Sequence, residues 1–401
     1  MVTATSKLPD QRSYRLSSID MLRGLIIVIM ALDHVRDFVL AGAMQDPMQD
    51  PNVTPLLFFT RWITHFCAPV FVFLAGTSAG LMTSRKTPEQ LSGFLFKRGL
   101  WLLFIEIFFI STAITFSPLA FLQPGGQTVL IMQTLSAIGV SMIVLALAQF
   151  MGQKTCLILG ASIVLGHNLL DPIWPVSVRG GPDAPLWAAL HVQMGLNFDH
   201  VLIFFAYPFL PWIGVMLLGF GSSALFRNLP DRRNASLLKI GAGLIAAFIL
   251  LRALDIYGDS HHWSLQSEGM LKTIMSFLNT TKYPPSLLYL LMTLGPAALI
   301  CANADRFKGW IKDTLIMYGR VPFAFYVGHY FLAHLMGVVI GLAQGYTLAQ
   351  MTDFGHTPEK AGLNLAGVYL VWIVVVMIMY PCCHWMARLK SKRTDWWLSY
   401  L

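Results

Sequence analysis

Long apolar runs separated by short polar segments dominate this chain. A helix needs about 20 apolar residues to cross a lipid bilayer, and most of the runs approach or exceed that length. They are continuous and contain Gly and Pro, whereas the strands of a membrane barrel alternate apolar and polar positions. The pattern therefore predicts an all-α, polytopic membrane protein with about ten transmembrane helices. The predicted spans are 20–41, 56–82, 94–116, 129–151, 155–170, 201–225, 236–255, 284–303, 313–344 and 363–389.

The first of these spans carries ionisable side chains inside its apolar run. A charge at the bilayer centre costs about 2.5–3.5 kcal/mol on insertion scales, so such residues usually face a protein interior or a watery cavity. Arg23 and His34 differ by only about 20° around a helix and by about 16 Å along it. They therefore define one stripe along the span, which also contains Asp20, Ile27, Met30 and Asp37.

Lys and Arg are distributed unevenly among the loops. Both chain ends and every second loop are rich in them. The alternate loops are poor in them, at 42–55, 117–128, 171–200, 256–283 and 345–362. Because positively charged loops stay in the cytoplasm, this bias predicts that both termini are cytoplasmic.

Composition narrows the class of protein further. The chain is 56% hydrophobic and 12% charged, against about 25% charged in soluble domains. Its net charge of +8 is mostly the bias of the inner loops, and no basic patch is interleaved with aromatic residues, which argues against a nucleic-acid partner. The lipid bilayer is the expected partner. The five cysteines fall in or at the ends of spans, which indicates packing residues and not disulfides.

The chain leaves no room for a separate soluble domain. We predict a polar N-terminal tail at 1–15, one transmembrane domain at 16–390 and a short cytoplasmic tail at 391–401. The longest segments outside the membrane are the outer loops 171–200 and 256–283, and loops of that length often contribute to binding sites.

Two other spans contain ionisable residues that could share a cavity with the first. In the second span, Arg61 and His65 are four positions apart and share a helix face. Glu106 lies near the middle of the third span. It is a candidate ion-pair partner for Arg61 or Arg23.

The ninth span contains two more histidines. His329 and His334 differ by about 140° in azimuth, so only one of them is expected to face the same cavity as His34. Histidines on three different helices lack the paired spacing that is typical of zinc ligands, and no metal is expected.

The stripe on the first span suits a reaction between a cytoplasmic donor and a mid-membrane histidine. Histidine titrates near neutral pH, so His34, with Asp33 beside it, could take a proton from a hydroxyl or amine or could itself accept an acyl group. Arg23, nearer the cytoplasm, could hold a phosphate bidentately. The same stripe also fits the alternative of a proton-coupled secondary transporter or permease.

Several segments resemble the transmembrane acyltransferase superfamily, and most closely the bacterial branch of the heparan-α-glucosaminide N-acetyltransferase-like family. The resemblance runs from about Arg15 to Arg388. Its distinctive segments are Ser18-Ile-Asp20-Met-Leu-Arg23-Gly with His34, Arg61-Trp-Ile-Thr-His65-Phe-Cys-Ala-Pro-Val-Phe-Val-Phe-Leu-Ala-Gly76, Tyr207-Pro-Phe-Leu-Pro-Trp-Ile-Gly214-Val-Met, Lys282-Tyr-Pro-Pro-Ser286 and Gly319-Arg-Val-Pro-Phe-Ala-Phe-Tyr-Val-Gly-His329.

The resemblance implies transfer of an acetyl group from cytosolic acetyl-CoA to a hydroxyl or amine of a carbohydrate-type acceptor across the cell inner membrane. By position, His34 corresponds to the catalytic histidine and Arg23 to the signature arginine. In the lysosomal branch the proposed active histidine lies in the loop after the first span. The corresponding loop here, 42–55, has no histidine, so His34 and His65 both stay candidates for the reacting group.

The sequence thus predicts an acyltransferase with three sets of site residues. The catalytic residues, expected in one cavity, are His34, Asp33, His65 and His329. Those expected to hold the phosphates of CoA are Arg23, Lys97, Arg98 and Arg320. Those expected to bind the carbohydrate are Arg61, Trp174, Trp187 and His191. The oligomeric state stays open, a homodimer included.

Overall fold

The computed structural model is mostly helical. It describes residues 16–42, 46–116, 128–173, 184–353 and 357–393, together with Asp395 and Leu398. The predicted tail at 1–15 lies outside these residues. Within them the α-helices are α1 (Ser17–Val39), α2 (Pro55–Ile63), α3 (Cys67–Met82), α4 (Pro88–Ile105), α5 (Ser111–Thr115), α6 (Thr134–Ala148), α7 (Gln153–Gly166), α8 (Ala184–Leu190), α9 (Phe209–Gly221), α10 (Pro230–Leu254), α11 (Met270–Leu278), α12 (Leu287–Ala302), α13 (Trp310–Arg320), α14 (Pro322–Ala343), α15 (Leu348–Met351) and α16 (Leu365–Lys392).

Six helical segments among the described residues are long and apolar enough to cross a membrane. They are Pro55–Met82, Thr134–Met151, Phe209–Arg227, Pro230–Leu254, Pro322–Ala343 and Leu365–Lys392. The other four predicted spans contain helices that are shorter or carry more charge, namely α1, α4 with α5, α7 and α12. The structure therefore supports a multi-pass helical membrane protein, while the count of ten spans and the side of each terminus stay predictions.

Helix α1 lies at the centre of the fold. It packs against α13, α14 and α16 on one side and against α3 and α12 on the other. Two glycines bring its backbone into direct contact with α13: a Cβ on Gly24 would lie 1.8 Å from the Leu315 carbonyl oxygen, and one on Gly319 would lie 1.8 Å from the Asp20 carbonyl oxygen. The stripe from Asp20 to His34 is therefore held among other helices, whereas Asp37 at its end is exposed.

A small sheet replaces part of two predicted spans. Strand β1 (Thr128–Met132) pairs in parallel with β3 (Val201–Phe205), and β2 (Met194–Phe198) pairs antiparallel with β3 on its other side. Helix was expected from 129 and from 201, but α6 begins at Thr134 and α9 at Phe209. Val129, Ile131 and the run Val201–Phe205 are β-branched, aliphatic or aromatic, a composition that favours strands.

Helix α4 continues through a π-helical turn, Glu106–Ile110, into α5. Such turns interrupt α-helices at points that are frequently functional. The Glu106 carboxylate is fully buried and accepts a 2.9 Å hydrogen bond from the backbone N–H of Ser136 in α6. The predicted ion pair of Glu106 with Arg61 or Arg23 is wrong, because neither guanidinium pairs with this carboxylate and Arg61 binds two aspartates instead.

The predicted outer loop 256–283 is held by two anchors, the half-buried Asp259 and the buried Arg252. Asp259 accepts hydrogen bonds from the backbone and hydroxyl of Thr281 and from the hydroxyl of Ser286. The guanidinium of Arg252, which is fully buried, donates to four backbone carbonyls at 2.6–3.2 Å. They belong to His261, Ser276, Phe277 and Asn279. This loop, with α11 inside it, therefore forms a fixed wall.

Candidate active site

Two histidines from packed helices form the first element of the site. His34, toward the C-terminal end of α1, and His329, early in α14, have Nδ1 and Nε2 atoms 2.6 Å apart and stacked rings. His329 is fully buried and His34 half-buried. As their predicted azimuths require, His334 points elsewhere: it stacks against Phe38 and Phe116.

The hydrogen bonds around this pair define which nitrogen of His34 is basic. His329 Nδ1 is 2.9 Å from the carbonyl oxygen of Phe325, and a carbonyl only accepts, so in the neutral ring Nδ1 carries the proton. His329 Nε2 must then accept from His34 Nδ1–H. This leaves a lone pair on His34 Nε2, which lies 2.9 Å from the Tyr330 hydroxyl. The Gln133 side-chain amide lies 3.3 Å from the same hydroxyl.

Asp33 does not support His34 in the way that the sequence predicts. Consecutive residues of a helix point about 100° apart, and the Asp33 carboxylate faces the last turn of α2 and Arg36 of its own helix. It binds Arg61 at 2.9 Å and Arg36 at 3.1 Å. The Lys282 ammonium is 3.9 Å away. Asp33 is thus the shared anion of three cations, one residue from His34.

His65 lines a pocket that neither His34 nor His329 lines, so the described pockets do not bring the three histidines together. It sits in a short 3-10 turn, Thr64–Phe66, between α2 and α3. Tyr289 contacts its ring and donates a 2.7 Å hydrogen bond to its backbone oxygen. In the described ranges no hydrogen bond or ring contact joins His65 to His34.

The pocket that His65 lines has a volume of about 480 Å³. Its walls come from the segment 46–58, from the loop 256–283 that Arg252 anchors, and from Gln193. We call it the outer pocket, because its walls are loops predicted to lie outside the membrane. Its polar residues include Asp46, His65, Gln193, Lys272, Asn279 and Lys282.

The predicted acceptor-binding residues are only partly related to this pocket. Arg61 lies behind it and binds Asp46, which lines it. Trp187 and His191 are not among its lining residues; His191 bonds Asp171 at 2.8 Å. Trp174 lies outside the described residues.

Arg61 fixes the charge of the pocket wall. Its guanidinium bonds both carboxylate oxygens of Asp46 at 3.2 Å. Burial alone would raise the pKa of Asp46, but the charge and hydrogen bonds of Arg61 outweigh burial and lower it to about 2. Asp46 is therefore ionised and paired throughout the physiological pH range.

A second pocket, of about 320 Å³, opens at the opposite, N-terminal end of α1. We call it the inner pocket. Three of the four residues that the sequence assigns to CoA phosphates line it: Arg23, Arg98 and Arg320. Lys390 lines it as well, whereas Lys97 is exposed and does not.

The two pockets approach His34 from opposite ends. The inner pocket extends to Tyr326, whose ring centroid is 6.3 Å from that of His34. The Tyr326 hydroxyl is buried and has no hydrogen-bond partner in the described ranges. On the other side Lys282 both lines the outer pocket and approaches Asp33, the neighbour of His34. His34 itself lines neither pocket, but it lies near Tyr326 of the inner pocket and next in the chain to Asp33, which Lys282 of the outer pocket approaches.

Sequence reasoning missed the neutral members of this arrangement. Tyr326 precedes His329 by three positions and so shares its helix face, and Tyr330 follows Tyr326 by four, which is a detectable signal once His329 is chosen. Gln133 carries no such signal. It lies between β1 and α6, and the sequence predicts a single helical span over both. Lys282 is named from the sequence only as the first residue of a segment that resembles the family, with no role assigned to it.

Within the ranges described, no three His, Cys, Asp or Glu side chains converge as metal ligands.

Among comparisons with known proteins, the family described as heparan-alpha-glucosaminide N-acetyltransferase, catalytic, matches residues 15–257. This is more than half of the 401 residues, and it runs from α1 to α10 with His34 and His65 inside it. No curated protein matches the chain. The chain therefore belongs to the heparan-α-glucosaminide N-acetyltransferase catalytic family, a family of transmembrane acetyltransferases.

Proposed function

We propose that the protein transfers an acetyl group from cytosolic acetyl-CoA to a carbohydrate-type acceptor on the far side of the inner membrane. The observation that carries this proposal is that a cation-lined pocket at one end of α1 reaches Tyr326, near His34, while Lys282 of a polar pocket at the other end approaches Asp33, next to His34 in the chain. The family supplies acetyl transfer as the reaction class. The identity of the acetyl donor, the class of the acceptor and the membrane face on which each binds are our inference.

The inner pocket suits the donor. Its mouth combines Arg23, Arg98, Arg320 and Lys390, and guanidinium groups bind phosphates bidentately. Its volume of about 320 Å³ is at the lower end of ligand pockets, about 300–1,000 Å³. We therefore expect it to hold the pantetheine arm, with the nucleotide phosphates at the mouth. The unpartnered Tyr326 hydroxyl at its deep end would donate to the thioester carbonyl.

His34 would then act at its Nε2 atom. The Tyr330 hydroxyl lies 2.9 Å from this nitrogen, on the side of its lone pair. The hydroxyl or amine of the acetyl acceptor, if it took the place of the Tyr330 hydroxyl, would lie within hydrogen-bond reach of the His34 base. The acceptor oxygen or nitrogen bonds to the acetyl carbon, the carbon–sulfur bond breaks, and the acceptor's proton passes through Nε2 to the CoA sulfur. The products are the acetylated acceptor and CoA.

The same nitrogen could instead carry the acetyl group between donor and acceptor. An acid-quench experiment with labelled acetyl-CoA and no acceptor separates the two routes. Label on the protein that is lost in His34→Ala establishes the carrier route, and unlabelled protein establishes direct transfer.

Binding of the donor tests the proposal most directly. We expect acetyl-CoA and CoA, but not ATP, to raise the melting temperature of the detergent-purified protein. Ligand at 100 times its dissociation constant stabilises the folded state by about 2.7 kcal/mol. Arg98→Gln should weaken the shift. Lys97→Gln, its matched control, removes the same charge from the adjacent residue, which lies outside the pocket, and should not.

The absence of any response to acetyl-CoA and CoA would contradict the proposal and favour the transporter. A turnover assay completes the test, because His34→Ala should bind acetyl-CoA normally yet fail to release CoA thiol. Full activity of His34→Ala in proteoliposomes would remove His34 from the mechanism.

A further inference from the structure

Glu106 is a buried carboxyl group that no cation balances. Its side chain is fully buried, and in the described ranges no ion pair joins it to a lysine, arginine or histidine. Of the elements packed around it, α5, α6 and β1 contain no ionisable side chain. On its own helix the nearest cation is Arg98, about 12 Å away along the axis. An isolated buried carboxylate is costly, so the group takes up a proton.

Only one of the two carboxyl oxygens has a partner. Oε2 accepts the 2.9 Å hydrogen bond from the backbone N–H of Ser136. Oε1 is a buried atom without a hydrogen-bond partner among the described residues. The bond at Oε2 stabilises the ionised form of Glu106, whereas burial without a cation favours the protonated form. The group can therefore hold a proton at Oε1 and also release it.

Glu106 lies next to the deep end of the inner pocket. Leu102, one turn before it on α4, lines that pocket, and so does Leu135 at the start of α6. Tyr326 lines the deep end, and its buried hydroxyl lacks a partner in the described ranges. The charge of Glu106 acts on the hydroxyls of Tyr326 and Tyr330. A carboxyl oxygen and a hydroxyl, both buried and both without a partner, therefore lie close together.

The two tyrosines lead from this carboxyl group to His34. The ring centroids of Tyr326 and Tyr330 are 5.4 Å apart, and the Tyr330 hydroxyl is 2.9 Å from His34 Nε2. The other titratable side chains of α14 have other partners: His329 bonds His34, and His334 bonds a carbonyl of α5. The base and the inner pocket are thus joined through two hydroxyls that both lie near one carboxyl group.

We propose that Glu106 stores the proton that passes from His34 to the sulfur of CoA, and that the hydroxyls of Tyr330 and Tyr326 carry it in and out. This inference rests on the proposed function and assigns the route of its proton. Glu106 lines neither pocket, so it touches no substrate and acts through Tyr326.

The protons balance over one turnover. The acceptor bonds to the acetyl carbon as the carbon–sulfur bond breaks; the acceptor's proton goes to His34 Nε2, and the sulfur takes the hydroxyl proton of Tyr326. Sulfur and the thioester oxygen are bonded to the same carbon, so a hydroxyl that reaches one also reaches the other. Glu106 returns a proton to Tyr326, directly or through one water. Once the product has left, the proton of His34 passes through Tyr330 to Glu106, and every residue regains its starting form.

The pH dependence of kcat tests this role. For the full-length protein in proteoliposomes, kcat for thiol release should rise with pH as His34 loses its proton and fall at higher pH as Glu106 loses its own. Glu106→Gln keeps an oxygen for the Ser136 N–H but holds no acidic proton. Its kcat at the wild-type optimum should be at least tenfold lower, and the falling limb should be absent. Wild-type kcat, or an unchanged falling limb, would overturn the proposal.

Two further variants separate proton storage from a structural role. Glu89→Gln is the matched control, because it makes the same change at an exposed position of α4, and it should keep the wild-type profile. Tyr326→Phe removes the hydroxyl through which Glu106 acts, so it should lose the falling limb as well. Adding Glu106→Gln to Tyr326→Phe should then lower kcat by less than a further twofold. Losses that multiply in full would contradict the relay.

The two proposals can fail separately. If the proposed function is wrong, the wild type releases no CoA thiol and acetyl-CoA does not shift its melting temperature. If only the relay is wrong, both signals are present and Glu106→Gln has the kcat and pH profile of the wild type. Retention of the acetyl-CoA thermal shift in Glu106→Gln shows that the variant is folded. If that variant does not fold, a falling limb that persists in Tyr326→Phe overturns the relay by itself.

Discussion

The bond between His34 and His329 leads to a quantitative prediction. In the neutral pair, His329 Nε2 accepts from His34 Nδ1–H across 2.6 Å and so keeps the lone pair on His34 Nε2. His329→Ala removes this acceptor, which frees the His34 ring to adopt the other tautomer and to rotate. A positioned general base contributes about 10²–10⁴-fold. We therefore expect kcat to fall by that factor, or about 2.7–5.4 kcal/mol in activation free energy.

The assay is thiol release from acetyl-CoA in proteoliposomes, with kcat and KM measured separately. KM for acetyl-CoA should stay unchanged, because His329 does not line the inner pocket. His329→Gln should recover part of kcat, since its amide oxygen can accept from His34. His334→Ala is the matched control: it removes a buried imidazole from the same helix, but one that contacts Phe38 and Phe116. If His329→Ala keeps more than a third of kcat while His34→Ala is inactive, the tautomer argument is refuted.

Three further predictions concern packing, pH and salt. Gly24→Ala should destabilise the protein by about 1–3 kcal/mol or more, the usual cost of overpacking, because the added Cβ would lie 1.8 Å from a backbone oxygen of α13. Gly93→Ala is the control: its Cβ meets open space, so the variant should be neutral or stabilising in the same melting assay. The Asp46 pKa of about 2 is lowered on folding, so its contribution to stability is complete above its unfolded pKa of about 3.9 and is lost as pH falls toward 2. The melting-temperature difference between wild type and Asp46→Asn should therefore be constant from pH 8 to pH 5 and vanish only in strong acid; a change near neutrality would contradict the pairing with Arg61. The dissociation constant of CoA should rise with added NaCl as the phosphate contacts are screened, and a salt-independent constant would argue against the cationic mouth.

The helical membrane class was predictable, but the beginnings of two helices were not. A short apolar run reads the same way whether it is buried in a helix or in a strand. Val201–Phe205 is such a run, and its pairing with Thr128–Met132 depends on a partner about 70 positions away in the chain. Local sequence contains no information about that partner. The charged stripe of the first span, by contrast, was detectable because charge inside an apolar run is costly and therefore rare.

The candidate site was predictable where charge and depth in the membrane decide, and not where side-chain direction or the joining of helices decides. Arg23, Arg98 and Arg320 were assigned to one pocket from charge and depth, and the structure brings them together there. Adjacency in the chain was misleading for Asp33, since a neighbour on a helix points in another direction. The separation of His65 from His34 depends on how α2 and α3 join through their 3-10 turn, which no periodicity reveals.

The π-helical turn at Glu106 has a consequence for the tyrosine beside His34. The first N–H groups of a helix need acceptors, and the residue at the N-cap usually provides one with its own side chain. At α6 the N-cap residue is Gln133, and its side chain makes no such bond. Glu106, projecting from another helix, accepts from Ser136 in its stead and places a carboxylate at the positive end of the α6 dipole. The Gln133 side chain is therefore not needed as the cap and instead lies 3.3 Å from the Tyr330 hydroxyl. Because Glu106 of another helix caps α6, the Gln133 amide can contact a residue of the candidate active site.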